Sequence, residues 1–255
     1  MSAPPVRSVP DLLRTLLRAD SGRPRLTWYG AAGERVELSA RTLDNWVAKT
    51  ANLLVDEFDA GPGTSVGVQL PAHWRTATWL LATWSVGAGA LVADAADPPP
   101  EPADVLVTAD PSVAVAAGVD PAALVGVALP ALATSFGAGL PAGVHDAAVE
   151  VRIRGDVFVP LVAPAPHDPA LVTTARAPVT HGELLPAAAD AARAVEMPAG
   201  VRLLSCAGPD RAIEELLAPL LLDGSVVLHA PGVEGDALER IADQEQVTRR
   251  ATPSA

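Results

Sequence analysis

Short runs of mostly apolar residues alternate with longer segments of helical periodicity, and this constrains the fold more than anything else in the 255 residues. The runs at 65–70, 90–93, 170–174, 201–206 and 225–229 are close to continuous in their apolar character. That pattern suits strands buried on both faces, as parallel sheets require. Residues 39–58 read as a helix, with Leu43, Trp46, Val47, Leu54 and Phe58 at helical spacing behind the cap Ser39. Gly61, Pro62 and Gly63 stop it. A second helix is expected over 73–86, and a hairpin over 26–38 around the turn at Gly30 to Gly33. Strand, helix and strand in this order predict an α/β fold of largely parallel sheets flanked by helices.

Three segments follow from the pattern: a first α/β segment over 1–97, a proline-rich crossing and middle segment over 98–169, and a second α/β segment over 170–255. Residues 97–102 read Asp-Pro-Pro-Pro-Glu-Pro and are expected to be extended. A strand follows at 104–108, whereas 112–144, with Asp120 as its one charge, yields no assignment. Residues 149–159 alternate as a strand or hairpin arm would. In the last segment, helices are expected near 180–196 and over 210–222, the second bent or broken at Pro219. Asp236 and Glu239 look like a capping box for a helix reaching about residue 244, and a strand could begin at Val247.

Residues 76–93 carry no charge over 18 positions, just enough for a membrane span. Gly87 and Gly89 break the run, so the better reading is a buried helix, turn and strand. The net charge of −12 argues against nucleic acid and anionic membrane surfaces as partners. One cysteine, Cys206, excludes an internal disulfide and is expected to be a small buried apolar residue. The five histidines lack metal-ligand spacing, so no metal site is expected. The amino-terminal ten residues lack an apolar signal core, which points to the cytoplasm.

Thr180, His181 and Glu183 form a T-x-x-E start for a helix, with Pro186 inside it. His181 is either the first helical residue or a site residue. The segment also belongs to a wider resemblance. Gly33 to Ser39 followed by a helix, then Gly61-Pro62-Gly63-Thr64-Ser65-Val66-Gly67-Val68-Gln69-Leu70-Pro71, resembles the opening of the adenylate-forming superfamily, which includes acyl-CoA synthetases and peptide-synthetase adenylation domains. Ser85 to Ala90, Thr180-His181-Gly182-Glu183-Leu184 and the run from Pro219 to Leu228 are similar to later segments of that family in the same order. The Ala-, Arg- and Pro-rich composition resembles a short actinobacterial group within it.

The resemblance implies a Ser/Thr/Gly-rich phosphate loop ending in Pro-Lys directly before the Thr-His pair. In its place stand Thr173, Thr174, Ala175, Arg176, Ala177, Pro178 and Val179, with no glycine. The single lysine, Lys49, lies far upstream among 17 arginines. The chain also ends where the family's second half, with its catalytic lysine, would start. These departures lead to the expectation of a catalytically degenerate protein that binds a small molecule or another protein and carries no catalytic residue. The rival expectation is acyl-CoA or nucleotide-linked activity completed by a partner chain. No cofactor is required, and residual AMP or acyl-CoA binding is what the resemblance implies. Thr173, Thr174, Arg176, His181 and Ser205 are the candidate ligand residues, grouped at the carboxyl ends of strands where α/β sheets open their crevices. A homo-oligomer or a partner protein is expected at the edge that the missing half would cover.

Overall fold

The computed structural model describes residues 6–93, 103–174, 176–206 and 208–251. Helix α1 (Val9–Asp20) precedes the hairpin of β1 (Pro24–Tyr29) and β2 (Arg35–Ser39). Next come α2 (Ala40–Phe58), β3 (Ser65–Gln69), α3 (Trp74–Val86) and β4 (Gly89–Ala93). The middle holds β5 (Val105–Thr108), α4 (Pro111–Ala116), β6 (Leu124–Gly126), β7 (His145–Asp146) and α5 (Ala147–Glu150). Then follow β8 (Pro169–Val172), β9 (Val179–Thr180), α6 (His181–Ala194) and β10 (Arg202–Ser205). A π turn over Ile213–Leu217 runs into α7 (Ala218–Leu221), and β11 (Ser225–His229), α8 (Gly235–Gln244) and β12 (Arg249–Arg250) complete the order.

The strands form two sheets. One has the order β12-β10-β11-β1-β2, parallel except for β1 with β2. The other has the order β7-β6-β5-β3-β4-β8-β9, parallel except for β8 with β9. This is the α/β architecture that the apolar runs predict. Leu26 and Leu228 of the first sheet share one continuous core with Val66 and Val105 of the second, through Leu53 of α2 and Leu81 of α3. Every residue of α3 is buried, which explains the uncharged stretch at this point of the sequence. Among the described residues no helix is long and apolar enough to cross a membrane.

Several local expectations are corrected. Residues 149–159 form no strand, because the Asp146 side chain caps α5 through the amides of Ala148 (2.9 Å) and Val149 (3.4 Å). The chain then lies along α2, where Asn52 Nδ2 donates to the carbonyls of Gly155 (2.9 Å) and Val157 (3.0 Å). The capping box at Asp236 and Glu239 is absent: Glu234 is the cap residue, and Glu239 forms a two-pronged pair with Arg250 at 2.6 Å. The helix expected over 210–222 is interrupted as Pro219 requires. With no N–H on Pro219, the preceding turn widens and the Ala218 amide bonds the Ile213 carbonyl five residues back. Helix α1, to which the sequence reading assigns nothing, starts at the cap Ser8 and buries Val9, Leu12, Leu13 and Leu16. The extended run expected at 97–102 lies outside the described residues.

Arg25 ties the two ends of the chain together. Its side chain is fully buried within β1, and Nη1 donates to the carbonyls of Asp223 (2.7 Å) and Gly224 (3.1 Å). Nη2 stands 2.7 Å from the Asp223 carboxylate. Gly224 is required here, since a Cβ would lie 2.4 Å from the Val201 carbonyl oxygen. Replacing the guanidinium leaves the buried Gly224 carbonyl without its donor, whereas the exposed Asp223 carboxylate can turn to water. Arg25→Leu is therefore expected to cost on the order of 2 kcal/mol in urea unfolding. An unchanged midpoint would show that the anchor contributes little.

Candidate functional site

Of the candidate residues, Arg176 and Ser205 come together through the π turn beside the end of β10. Thr173 and Thr174 leave β8, and Thr174 is exposed. Beyond them Arg176 reaches across: Nη1 pairs with Glu214 Oε1 at 2.7 Å, and Nη2 donates to the Asp210 carbonyl at 2.6 Å. Ser205, the last residue of β10, is buried, and its hydroxyl donates to Glu215 Oε2 at 2.5 Å. Arg211 stands between the two carboxylates, 3.3 Å from Glu215 and 4.0 Å from Glu214. Arg176, Glu214, Arg211, Glu215 and Ser205 thus form one chain of alternating charge. Burial raises the pKa of Glu215, against the opposing pull of the Ser205 bond and Arg211.

A cleft of about 30 Å³ lies against this cluster, walled by Ala72, His73, Thr76, Ser205 and Glu215 among others. It has room for roughly one water molecule. The sequence reading missed Glu214 and Glu215. The available signal was two adjacent carboxylates inside the apolar run from Ile213 to Leu217. An ordinary α-helix would turn them away from Ile213, Leu216 and Leu217, whereas the widened turn leaves Glu215 buried.

His181 does not share this crevice. Strand β9 runs back antiparallel to β8, with Thr180 opposite Pro169, so His181 returns to the amino end of β8. Thr173 and Arg176 leave from the other end, about 13 Å away at ~3.3 Å per residue. His181 instead lines a second cavity of about 280 Å³ with Trp84, Pro164 and Leu185. Its local role is the one the T-x-x-E pattern predicts. The Thr180 amide and hydroxyl both donate to Glu183, at 3.0 and 2.8 Å, and α6 runs through Pro186 without a break. Cys206 is exposed, contrary to expectation. It stands one position past the end of β10, where the chain leaves the sheet that buries Leu203, Leu204 and Ser205.

His73 forms the rigid wall of the cleft. Its Nδ1 accepts the Arg75 amide (3.0 Å), capping α3, so Nε2 carries the proton it donates to the Leu129 carbonyl (3.0 Å). The ring sits 4.2 Å from that of Trp28. Burial, reinforced by the Arg75 charge, lowers its pKa to about 3. An unfolded histidine titrates near ~6.5, so between these values the unfolded chain binds a proton that the folded chain refuses. Stability should therefore fall as pH drops below 6.5, by up to about 1.4 kcal/mol per unit from this group. His181 and His229, also lowered by burial, act in the same direction. His73→Asn keeps a capping acceptor and should reduce the acid slope by close to one proton, read from urea midpoints across pH 4.5–7. An unaltered slope would assign the acid sensitivity elsewhere.

Comparison with known proteins places this geometry in context. A TIGR03089 family protein of Mycobacterium tuberculosis is 41% identical over 246 residues, covering 93% of this chain and 95% of that protein. Among solved structures, a Brucella canis acyl-CoA synthetase superposes with a TM-score of 0.77 at 19% identity, over 95% of this chain and 46% of that one. The Klebsiella oxytoca NpsA N-terminal subdomain, solved in complex with anthranilyl-AMSN, gives 0.67 at 17% identity, over 96% of this chain and 59% of that one. The chain thus spans about half the length of the acyl-CoA synthetase whose fold it shares. The sequence model of the AMP-binding enzyme family matches residues 17–248, and the chain belongs to that family.

Proposed function

We propose that this chain is a catalytically degenerate adenylation-like protein that works as a small-molecule-binding or protein-interaction module. One observation carries the proposal: Arg176, the cation of the segment after β8, is held by Glu214 and the Asp210 carbonyl. The protein's own carboxylate therefore competes with any phosphate for the Arg176 guanidinium. A nest of backbone amides around phosphate needs glycine, and residues 173–179 contain none. Phosphoryl and adenylyl transfer depend on preorganised donors aimed at the developing charge, and an internally neutralised guanidinium supplies little of that.

The ligand reading rests on Thr173, Thr174, Arg176 and Ser205, with AMP or an acyl-CoA as the residual ligand. The interaction reading draws on Val157, Val159 and Leu161, which are 74%, 71% and 91% exposed along one irregular segment. Apolar side chains so disposed favour association. Leu161→Glu is expected to shift sedimentation velocity towards the monomer, and a wild-type chain that is already monomeric at all concentrations would remove self-association from the proposal.

The direct test is ATP–pyrophosphate exchange with a broad panel of carboxylic acids. No exchange above background is expected, and robust exchange would overturn the degenerate reading. Glu214→Gln frees Arg176 while keeping its shape. It should raise affinity for AMP by about tenfold, the effect of removing one competing charge-assisted contact. Equal affinity in both proteins would detach Arg176 from ligand binding.

A further inference from the structure

The 280 Å³ cavity beside His181 lies at the amino end of β8, away from the Arg176 cluster, and its chemistry differs from that of the rest of the surface. It is closed by the start of α1, the last turn of α3, residues 160–166 and the start of α6. Its volume is worth roughly nine waters at ~30 Å³ each, close to the lower size of small-molecule pockets. Val9, Trp84, Leu184 and Leu185 give it apolar walls, backed by prolines. Among the described residues Arg7 and Arg14 are the charged ones that line it, and no Asp or Glu does, in a chain of net charge −12.

The polar groups converge on an anion. Among the described residues the Arg7 guanidinium has no hydrogen-bond or ion-pair partner. Arg14 uses one nitrogen on Asp11, at 2.5 Å, and keeps its remaining donors. The His181 ring is buried beside the backbone of Gly87 and Ala88 and is not one of the anchors. The starts of α1 and α6 both open here, but Asp11 and Glu183 already answer them, so the guanidinium groups are the anchor. We propose that this cavity is a second ligand site that takes a monocarboxylate with an apolar body, its head on Arg7 and Arg14 at the mouth and its body against Trp84, Leu184 and Leu185. The match is one of type: two arginines on the lining and apolar walls within, with Asp11 engaging only one nitrogen of Arg14.

Isothermal titration of the full chain with octanoate tests this, with 1-octanol and octylamine as neutral and cationic counterparts. Octanoate should bind, octanol at least about tenfold more weakly, and octylamine not measurably. Arg7→Ala, on an exposed residue outside the core, should weaken octanoate by about tenfold. Ser85→Leu places a larger side chain in the void from the buried face of α3 and should abolish binding, with folding checked by circular dichroism. Arg176→Ala should leave octanoate binding unaltered, which separates this site from the crevice proposed above. Absence of octanoate binding by the wild type, equal affinity for octanol, or loss of binding in Arg176→Ala would each overturn the assignment.

Discussion

The parallel pairing of β1 with β11 is the constraint on which the rest of the molecule depends. Leu26 lies opposite Val226, so the pairing closes a loop of about 200 residues, and the entropy of that closure must be offset by what it buries. Arg25 supplies the polar half of the offset. Its guanidinium reaches the Asp223 and Gly224 carbonyls in the turn just before β11, and a wrong register would leave it buried without acceptors. The same turn ends α7, which continues directly from the π turn carrying Glu214 and Glu215. Fixing β11 on β1 therefore also fixes the carboxylates against Arg176 and Ser205. The site is built on a contact between the two ends of the chain.

The two ends of β8 present opposite chemistry. At the carboxyl end, cations and carboxylates alternate and pair with one another beside a cleft of one water, although Arg211 Nε and Glu214 Oε2, 4.0 Å apart, lack hydrogen-bond partners among the described residues. At the amino end, arginines face apolar walls with no acid lining the space. The antiparallel return of β9 creates this division, because it carries Thr180 back alongside Pro169. Residues 173 to 181 are close in sequence yet serve two separate places. Glu215 illustrates the carboxyl end: its carboxylate is held by the Ser205 hydroxyl and Arg211, and that bonding only partly offsets the burial that raises its pKa.

Much of the fold was legible because it rests on local signals that tertiary contacts did not override. The apolar runs became strands, Ser39 capped α2, and the Thr180–Glu183 capping box formed despite Pro186. Other features lay beyond local reading. Residues 149–159 alternate convincingly, yet Asn52, a hundred residues upstream, claims their carbonyls. Glu239 had a better partner in Arg250 than in its own helix start. His181 was grouped with Arg176 because they are five residues apart, and only the strand register shows that the chain reverses between them. The burial of Glu215 lay beyond local reading for a related reason, although the adjacent carboxylates in an apolar run were a signal. Their orientation is set by a π turn that Pro219 forces, and the local pattern assumes 3.6 residues per turn.

Helix α3 links these features into one arrangement. Its amino end, with His73 and Thr76, walls the Glu215 cleft, and its carboxyl end, with Trp84 and Ser85, walls the second cavity. The cleft follows α3 as far as Leu80, and Trp84 stands one turn further on, about 6 Å along the axis at ~1.5 Å per residue. Every side chain of α3 is buried, so displacing it would open apolar surface all around it, and packed interiors resist such continuous deformation. Two of its hydroxyls bond back to the preceding turn, Thr78 to the Trp74 carbonyl (3.0 Å) and Ser85 to the Leu81 carbonyl (2.7 Å), and Thr76 reaches the Pro71 carbonyl (2.7 Å) just before the helix. Its Trp84 Nε1 donates to the Ala170 carbonyl at 2.7 Å, which locks the helix to β8 itself. A helix that is buried on all sides, capped by a neutral histidine and bonded to the strand it covers acts as a fixed spacer. Its rigidity holds the two places in a fixed relation, one along its amino-terminal half and the other at its carboxyl end.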